Sequence, residues 1–228
     1  MAKHSHTDPA ILFEDNHCLV VNKPARMLTA SDRTGDSTLL SWCRAYNEEA
    51  KGEGKGYLVP IHFLDRPVSG VVIFAKSSKA AARLNLAFKN RKVEKEYEAI
   101  CEGIGPVGQM VVLKGFISKD RSRNISVIRD DEVEGSKHCE LSYAITSISG
   151  NLSSVIVKPV TGRSHQIRCQ MSHAGLPLYG DQKYGARSTW VGRIALHARS
   201  LSFPHPISKE IMTIEAPLPI GWMDLLNH

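Results

Sequence analysis

The sequence predicts an α+β fold, with a mixed, mostly antiparallel central sheet and flanking helices. Three observations predict it. Segments with strand character outnumber helical ones and do not alternate with them, which argues against a doubly wound sheet. The stretch 113–139 reads as a β-hairpin region on a polar, basic background. No G-x-G-x-x-G and no phosphate-binding loop occur, so nucleotide-cofactor chemistry has no support in the sequence.

The elements follow in order. Residues 1–10 read as a flexible tail and 11–228 as a single domain. Ile11-Leu12-Phe13 leads into the turn cluster Glu14-Asp15-Asn16. Cys18 to Val21 is strand-like and ends at Asn22-Lys23-Pro24. Thr38 to Asn47 places Leu39, Leu40, Cys43 and Tyr46 on one helical side, and 48–56 is a charged, glycine-containing loop. A strand is expected from Gly70 to Ala75. Ser77 and Ser78 are helix-capping residues, followed by Ala81, Leu84, Leu86 and Phe88 on the apolar side of a helix reaching about Asn90. Its outer face carries Lys79, Arg83 and Lys89. Val93 to Cys101, Glu140 to Ser147 and Ser153 to Val157 read as strands. A short helix starts at Ser164 and stops at Gly175, a residue suited to the left-handed position after a helix. Residues 176–185 are turn-rich, and two late strands lie near 195–203 and 210–215.

The 228 residues carry a net charge of +6, with 42% apolar and 23% charged residues. That length buries a sizeable core, and the charge favours an anionic partner, nucleic acid first. Five cysteines without a C-x-x-C pair exclude a zinc ribbon and a disulfide framework, so reduced structural thiols are expected. The N-terminus has no apolar core of a signal peptide, and no apolar run reaches the ~20 residues of a membrane span. A soluble, cytoplasmic protein is expected. None of the ten histidines falls in a metal-ligand spacing such as H-E-x-x-H, so no metal is expected.

Two stretches carry the candidate chemistry. In His62-Phe63-Leu64-Asp65-Arg66-Pro67-Val68-Ser69-Gly70 an acid follows an apolar pair, and proline and glycine force a turn before an apolar strand. That presents one carboxylate on a rigid loop beside a strand. The bland alternative is an ordinary turn aspartate before proline. The second stretch, Thr161-Gly162-Arg163-Ser164-His165-Gln166-Ile167-Arg168, offers cations and donors. On a helix, His165, Arg168 and Ser172 share one face, while Ile167, Met171 and Ala174 share a neighbouring, buriable one. Thr161-Gly162-Arg163 would then supply backbone N–H groups and a guanidinium for phosphate. Arg168 is a candidate counter-ion, since an arginine beside a carboxylate favours its charged, nucleophilic form. Tyr97 is a candidate base or stacking group. Each has its bland reading: an amphipathic helix, a surface arginine and a half-buried strand tyrosine.

At these residues the chain closely resembles the RluA-type family of RNA pseudouridine synthases. The family's H-R-L-D-x-x-T-S-G, apolar strand and A-K correspond to His62 through Gly70, with Ala75-Lys76 following. Its K-x-Y corresponds to Lys95-Glu96-Tyr97, and its P-x-T-G-R-x-H-Q-I-R to Pro159 through Arg168. Gly175 to Gly185, Leu196-His197-Ala198, Phe203-Pro204-His205-Pro206 and Val20 to Pro24 match further elements. The likeness runs from about residue 11 to about 219, and its ordered blocks are far more specific than any one motif. Three positions depart from the pattern: Phe63 for arginine, Val68 for threonine, and Gln170 for a histidine.

The resemblance implies the pseudouridine synthase fold, two fused lobes around a catalytic cleft, and isomerisation of uridine to pseudouridine in a transfer or ribosomal RNA stem-loop. The base leaves its stack to be reached. Asp65 is implied as nucleophile or covalent participant, with attack on the ribose and attack on the base both open to it. Arg168 pairs with it, and Tyr97 stacks on the flipped base and helps remove the C5 proton. His62, Phe63, Arg66, Ser69, Arg163, His165, Gln166 and Leu196 are the implied substrate-binding residues. Phe63 cannot make an arginine's ionic contacts but can stack, since every base has a π-face. Distributed cations, including Arg83, Lys89, Arg91, Lys92, Lys114 to Arg123 and Arg163, would meet phosphate. No cofactor and no metal is implied, and a monomer is the simpler expectation. Two readings compete: a catalytically weak RNA-binding or RNA-folding protein on the same scaffold, motivated by Phe63, and an unrelated hydrolase pairing Asp65 with a histidine.

Overall fold

Apolar alternation and turn chemistry build a protein of two compact units, one of 1–95 with 198–220, the other of 96–197 with 221–228. The structure, a computed structural model, describes residues 8–31, 35–51, 56–120 and 122–227. Most of the expected tail, the middle of the expected 48–56 loop, and Arg121 lie outside the described residues.

In the first unit, strand β1 (Ala10–Glu14) pairs antiparallel with β2 (Cys18–Lys23), and β2 with β4 (Ser69–Ala75). The short β3 (Val59–Pro60) also pairs with β4. Strand β10 (Leu196–Pro204) takes β11 (Ile211–Glu215) antiparallel on its first-unit residues. β1 and β3 were not expected: five and two residues are too short for a period-2 pattern to stand out. β4 is buried along its whole length, as a strand covered on both faces reads. Gly70 is required there. Its φ is +119, and a Cβ would lie 2.3 Å from the carbonyl oxygen of Ala198, so β4 and β10 approach closely only through glycine.

Helix α1 (Leu39–Lys51) is longer than expected, running into the stretch taken as loop. It starts in a reciprocal capping box. Ser41 N–H donates to Thr38 Oγ1 at 3.1 Å, and Thr38 N–H donates to Ser41 Oγ at 2.9 Å. Helix α2 (Ser78–Lys89) is capped by Ser77, whose side chain accepts from Ala80 N–H at 3.2 Å. It buries Ala80, Ala81, Leu84 and Ala87 on a core with Val20, Ile73 and Phe203. Leu86, expected on that face, is exposed, because Ala80–Leu84–Ala87 defines the buried stripe and Leu86 lies off it.

The second unit is an antiparallel sheet in the order β5-β9-β8-β6-β7. β5 (Glu94–Glu102) pairs with β9 (Leu152–Pro159) from Tyr97 onward, β9 with β8 (Lys137–Ser149), β8 with β6 (Met110–Asp120), and β6 with β7 (Ile125–Arg129). The β6–β7 hairpin is the one expected within 113–139. Helix α3 (Gln166–His173) begins two residues later than expected. His165, not Ser164, is its first flanking residue, in the left-handed region at φ 52 and without a side-chain cap bond. Gly175, at φ +78, ends it as expected. All five cysteines are buried and free. No helix among the described residues is long and apolar enough to cross a membrane.

Candidate functional site

The loop that carries Asp65 is built before the carboxylate is placed. Val68 N–H donates to the Asp65 carbonyl at 3.0 Å, closing a tight turn through Arg66 and Pro67. Leu64 and Val68 are buried on either side, so the turn is pinned by its apolar neighbours while Asp65 stays partly exposed. Ser69 and Gly70 then enter β4. The expected carboxylate on a rigid loop beside a strand is what forms.

A second loop, 23–29, grips this turn. Lys23, fully buried, donates from Nζ to the carbonyls of Met27 (2.7 Å), Pro24 (3.0 Å) and Arg66 (3.4 Å). Arg26 N–H donates to the Arg66 carbonyl at 2.8 Å, and Arg66 Nε returns a bond to the Arg26 carbonyl at 3.1 Å. Arg66 also reaches Asp36 at 2.5 Å. Thr29 Oγ1 donates to the Leu64 carbonyl at 3.0 Å and accepts from Leu64 N–H at 3.1 Å. Burial pushes the Lys23 ammonium down to about 7, the Asp65 carboxylate pulls it back up, and the Arg66 cation depresses it further. Lys23 was visible in the sequence only as part of a K-P element. Its buried amine adjoining Asp65 required the fold.

His62 and Phe63 precede the turn and do different things. His62 Nε2 accepts from Ile73 N–H at 3.3 Å, and its ring stacks on Phe88 with centroids 5.3 Å apart. Burial, with the Lys95 ammonium adding to it, pushes the imidazole down to about 3. The ring is therefore neutral at pH 7 and one nitrogen is spent on the sheet. The sign follows from linkage. The unfolded chain binds a proton below about 6.5 that the folded chain refuses until about 3, so stability is fully present above pH 6.5 and falls on acidification. At 1.36 kcal/mol per unit, wild type should lose about 2–3 kcal/mol between pH 7 and pH 4.5 from this residue. Urea unfolding of His62→Gln at the two pH values should show that loss largely gone; an unchanged difference would refute the assignment. Phe63, in contrast, is 64% exposed.

In the second unit, α3 is buried from Gln166 through Met171, rather than on one face as the helical pattern suggested. Arg168 lies inside and makes a bidentate pair with Asp181, Nε to Oδ2 at 2.7 Å and Nη2 to Oδ1 at 2.8 Å. Its guanidinium also sits over the Tyr184 ring, 5.0 Å from the centroid. Asp181 was missed. It stood in a turn-rich G-D-Q-K-Y-G run where an aspartate is ordinary.

His165 Nδ1 lies 2.8 Å from the Tyr184 hydroxyl, which accepts from Ser126 N–H at 2.7 Å. Nδ1 and the hydroxyl share one hydrogen bond whose direction is set by the tautomer of the ring. Gln166 bonds at both ends of its amide: Oε1 accepts from Thr161 Oγ1 (2.7 Å) and Arg163 N–H (2.9 Å), and Nε2 donates to the Glu140 carbonyl (3.1 Å). Of the 161–163 backbone N–H groups expected to meet phosphate, that of Arg163 goes to Gln166 and that of Thr161 to Glu140. The Arg163 guanidinium, on an exposed residue, gives Nε to the His138 carbonyl at 3.1 Å. Tyr97 is buried in β5 opposite Val157, and Leu196 is buried at the start of β10. The structure therefore holds His62, Phe63, Asp65, Arg66 and Ser69 in the first unit, and Tyr97, Arg163, His165, Gln166, Arg168 and Leu196 in the second.

Asp15, Cys18 and His205 have donor atoms within 4.8 Å of one another. Asp15 Oδ1 accepts N–H from His17 and Cys18 at 2.7 Å each, and Oδ2 faces His205 Nε2 at 2.8 Å. His205 Nδ1 accepts from Ser208 N–H at 3.1 Å, so Nε2 carries the ring hydrogen and donates it to Asp15. Burial pushes the Cys18 thiol up to about 12. Through these bonds the trio clasps the β1–β2 turn to the end of β10.

Comparison with known proteins bears on this geometry. The model of the RNA pseudouridylate synthase family matches residues 17–173. tRNA pseudouridine synthase C of Pasteurella multocida (strain Pm70) is 33% identical over 242 residues, covering 95% of this chain and 94% of that protein. Ribosomal large subunit pseudouridine synthase C of Escherichia coli (strain K12) is 31% identical over 220 residues, covering 92% and 67%. Among solved structures, human RNA pseudouridylate synthase domain containing 4 superposes with a TM-score of 0.79 at 22% identity, over 96% of this chain and 92% of that one. That likeness speaks for the α+β fold.

Proposed function

Because the chain belongs to the RluA-type family of RNA pseudouridine synthases, we propose that Asp65 is the nucleophile with which it isomerises uridine, with Arg168 and Tyr97 completing the catalytic set. The reaction is an isomerisation. The bond from uracil N1 to ribose C1′ breaks, the base turns, C5 bonds to C1′, the C5 hydrogen leaves as a proton and N1 gains one. Asp65 supplies the electron pair that an electron-deficient sugar or base centre accepts. Tyr97 lies against the flipped base and assists loss of the C5 proton. Arg168 supports the aspartate. What supports this reading most is the turn at Asp65, a partly exposed residue whose two flanking residues are fixed by hydrogen bonds to their backbone.

The substrate is transfer or ribosomal RNA, as the names of the relatives state for those proteins. The chain works as a single catalytic domain over 11–228; the family match draws on residues of both units. A monomer acting on the cytoplasmic RNA pool is the simplest form of the proposal. Of the implied substrate contacts, His62 and Gln166 act in part by shaping their segments, since His62 Nε2 and both side-chain polar atoms of Gln166 bond internally. Phe63, Arg66, Ser69, Arg163, His165 and Leu196 complete the set.

The test is release of tritium from transfer and ribosomal RNA labelled at uridine C5. Release to water is the expected result, and its absence from both pools would refute the reading. Phe63 gives a second prediction. An exposed aromatic beside the nucleophile fills the gap of an extruded base by stacking, worth about 1–3 kcal/mol. Phe63→Ala should weaken RNA binding by roughly 5- to 150-fold in a filter-binding titration, and Phe63→Trp should not. Equal affinity for Phe63→Ala and wild type would remove Phe63 from the RNA interface.

A further inference from the structure

We infer that Thr29 is a positioning residue for Asp65, and that Lys23 is its counterpart on the other side of the turn. The inference rests on the reading of Asp65 as the nucleophile. Thr29 is 3% exposed, and its hydroxyl both donates to and accepts from the backbone of Leu64, the residue before Asp65. One side chain therefore stands in for a strand neighbour, satisfying both polar groups of that peptide residue. Valine has the same shape and can make neither bond.

Thr29 is itself held. Its carbonyl accepts from Leu40 N–H at 3.0 Å, and the Leu28 carbonyl accepts from Leu39 N–H at 2.8 Å. The first turn of α1 thereby anchors 28–29, and 29 anchors 64. On the far side the Arg66 carbonyl receives Arg26 N–H and Lys23 Nζ. Residues 64 and 66 are thus fixed independently, and the backbone of Asp65 is held between them. Displacing a reacting group by about 1 Å costs up to about a hundredfold in rate, so a loosened clamp shows in turnover before it shows in binding.

The experiment compares Thr29→Val, Thr29→Ser and Lys23→Met with wild type by amide hydrogen exchange, single-turnover tritium release and RNA affinity. Thr29→Val should speed exchange at Leu64 N–H at least about tenfold, lower the rate of chemistry about tenfold and leave Kd within about twofold. Thr29→Ser, which keeps the hydroxyl, should restore both rate and protection. Lys23→Met should lower the rate with Kd likewise kept. A Thr29→Val protein with Leu64 loosened but chemistry at the wild-type rate would overturn the inference, as would unchanged Leu64 exchange. If wild type releases no tritium while Leu64 responds to Thr29 as stated, the isomerase reading fails and the clamp stands.

Discussion

Asp65→Ala is expected to release no tritium above background from any RNA pool that wild type modifies, while binding that RNA within about threefold of wild type. Removing a nucleophile costs on the order of 10⁴- to 10⁶-fold in turnover, because no neighbouring group takes over the covalent step. Affinity survives because nucleic-acid binding rests mainly on many phosphate contacts, each a small share of the total. The fold should survive too. Asp65 lies at a partly exposed turn whose closing bond uses its backbone carbonyl, which alanine keeps. Asp65→Asn separates shape from charge, and it should be as inactive as alanine. Turnover by either variant within tenfold of wild type would move the nucleophile elsewhere. Loss of affinity in parallel with activity would point to a binding role for the carboxylate instead.

The second large effect is on stability. Asp181→Ala should cost about 3–5 kcal/mol, because it leaves the Arg168 cation buried without its bidentate partner. For a chain of this length that corresponds to a fall in melting temperature of roughly 6–20 °C. The double replacement of Arg168 by Met and Asp181 by Ala should recover part of that loss, since neither charge is then left buried without the other. It should nevertheless remain inactive if Arg168 serves the catalytic aspartate. Thermal unfolding of the three proteins decides the first point and tritium release the second. A single variant that melts with wild type would show the pair to be energetically idle.

The Asp65 and Arg168 segments lay close to the surface of the sequence because local chemistry writes them. A proline, a glycine and an apolar run around Asp65 force a turn and a strand whatever surrounds them. Helix α2 was legible for the same reason: Ser77 caps it and Lys89 closes it. What escaped depends on contacts far along the chain. Leu86 sits one position off the buried stripe that Ala80, Leu84 and Ala87 mark out, and residue type alone ranks leucine above alanine as a core residue. His165 adopts a left-handed backbone that no pattern of apolar residues announces. Asp181 lay in a run read only as turn-rich and Thr29 in no recognised element, and each draws its role from a partner 13 or 35 positions away. The fold class was thus readable from periodicity, and the site only as a set of blocks whose internal supports needed tertiary structure.

The buried cysteines have a practical corollary. Burial raises the thiols of Cys18 and Cys43 to about 12 and that of Cys169 to about 11, and pushes Cys101 and Cys139 up as well. At neutral pH Cys18, Cys43 and Cys169 each hold less than about one part in a thousand as the thiolate that maleimides and iodoacetamides attack, burial disfavours the thiolate of the other two as well, and none of the five is at the surface. The native chain is therefore almost silent to thiol reagents. A single cysteine introduced at an exposed position such as Ser122 or Lys209 would be the dominant labelling site with all five native thiols left in place. Fluorescent or spin probes could then follow the protein along an RNA without the core being redesigned.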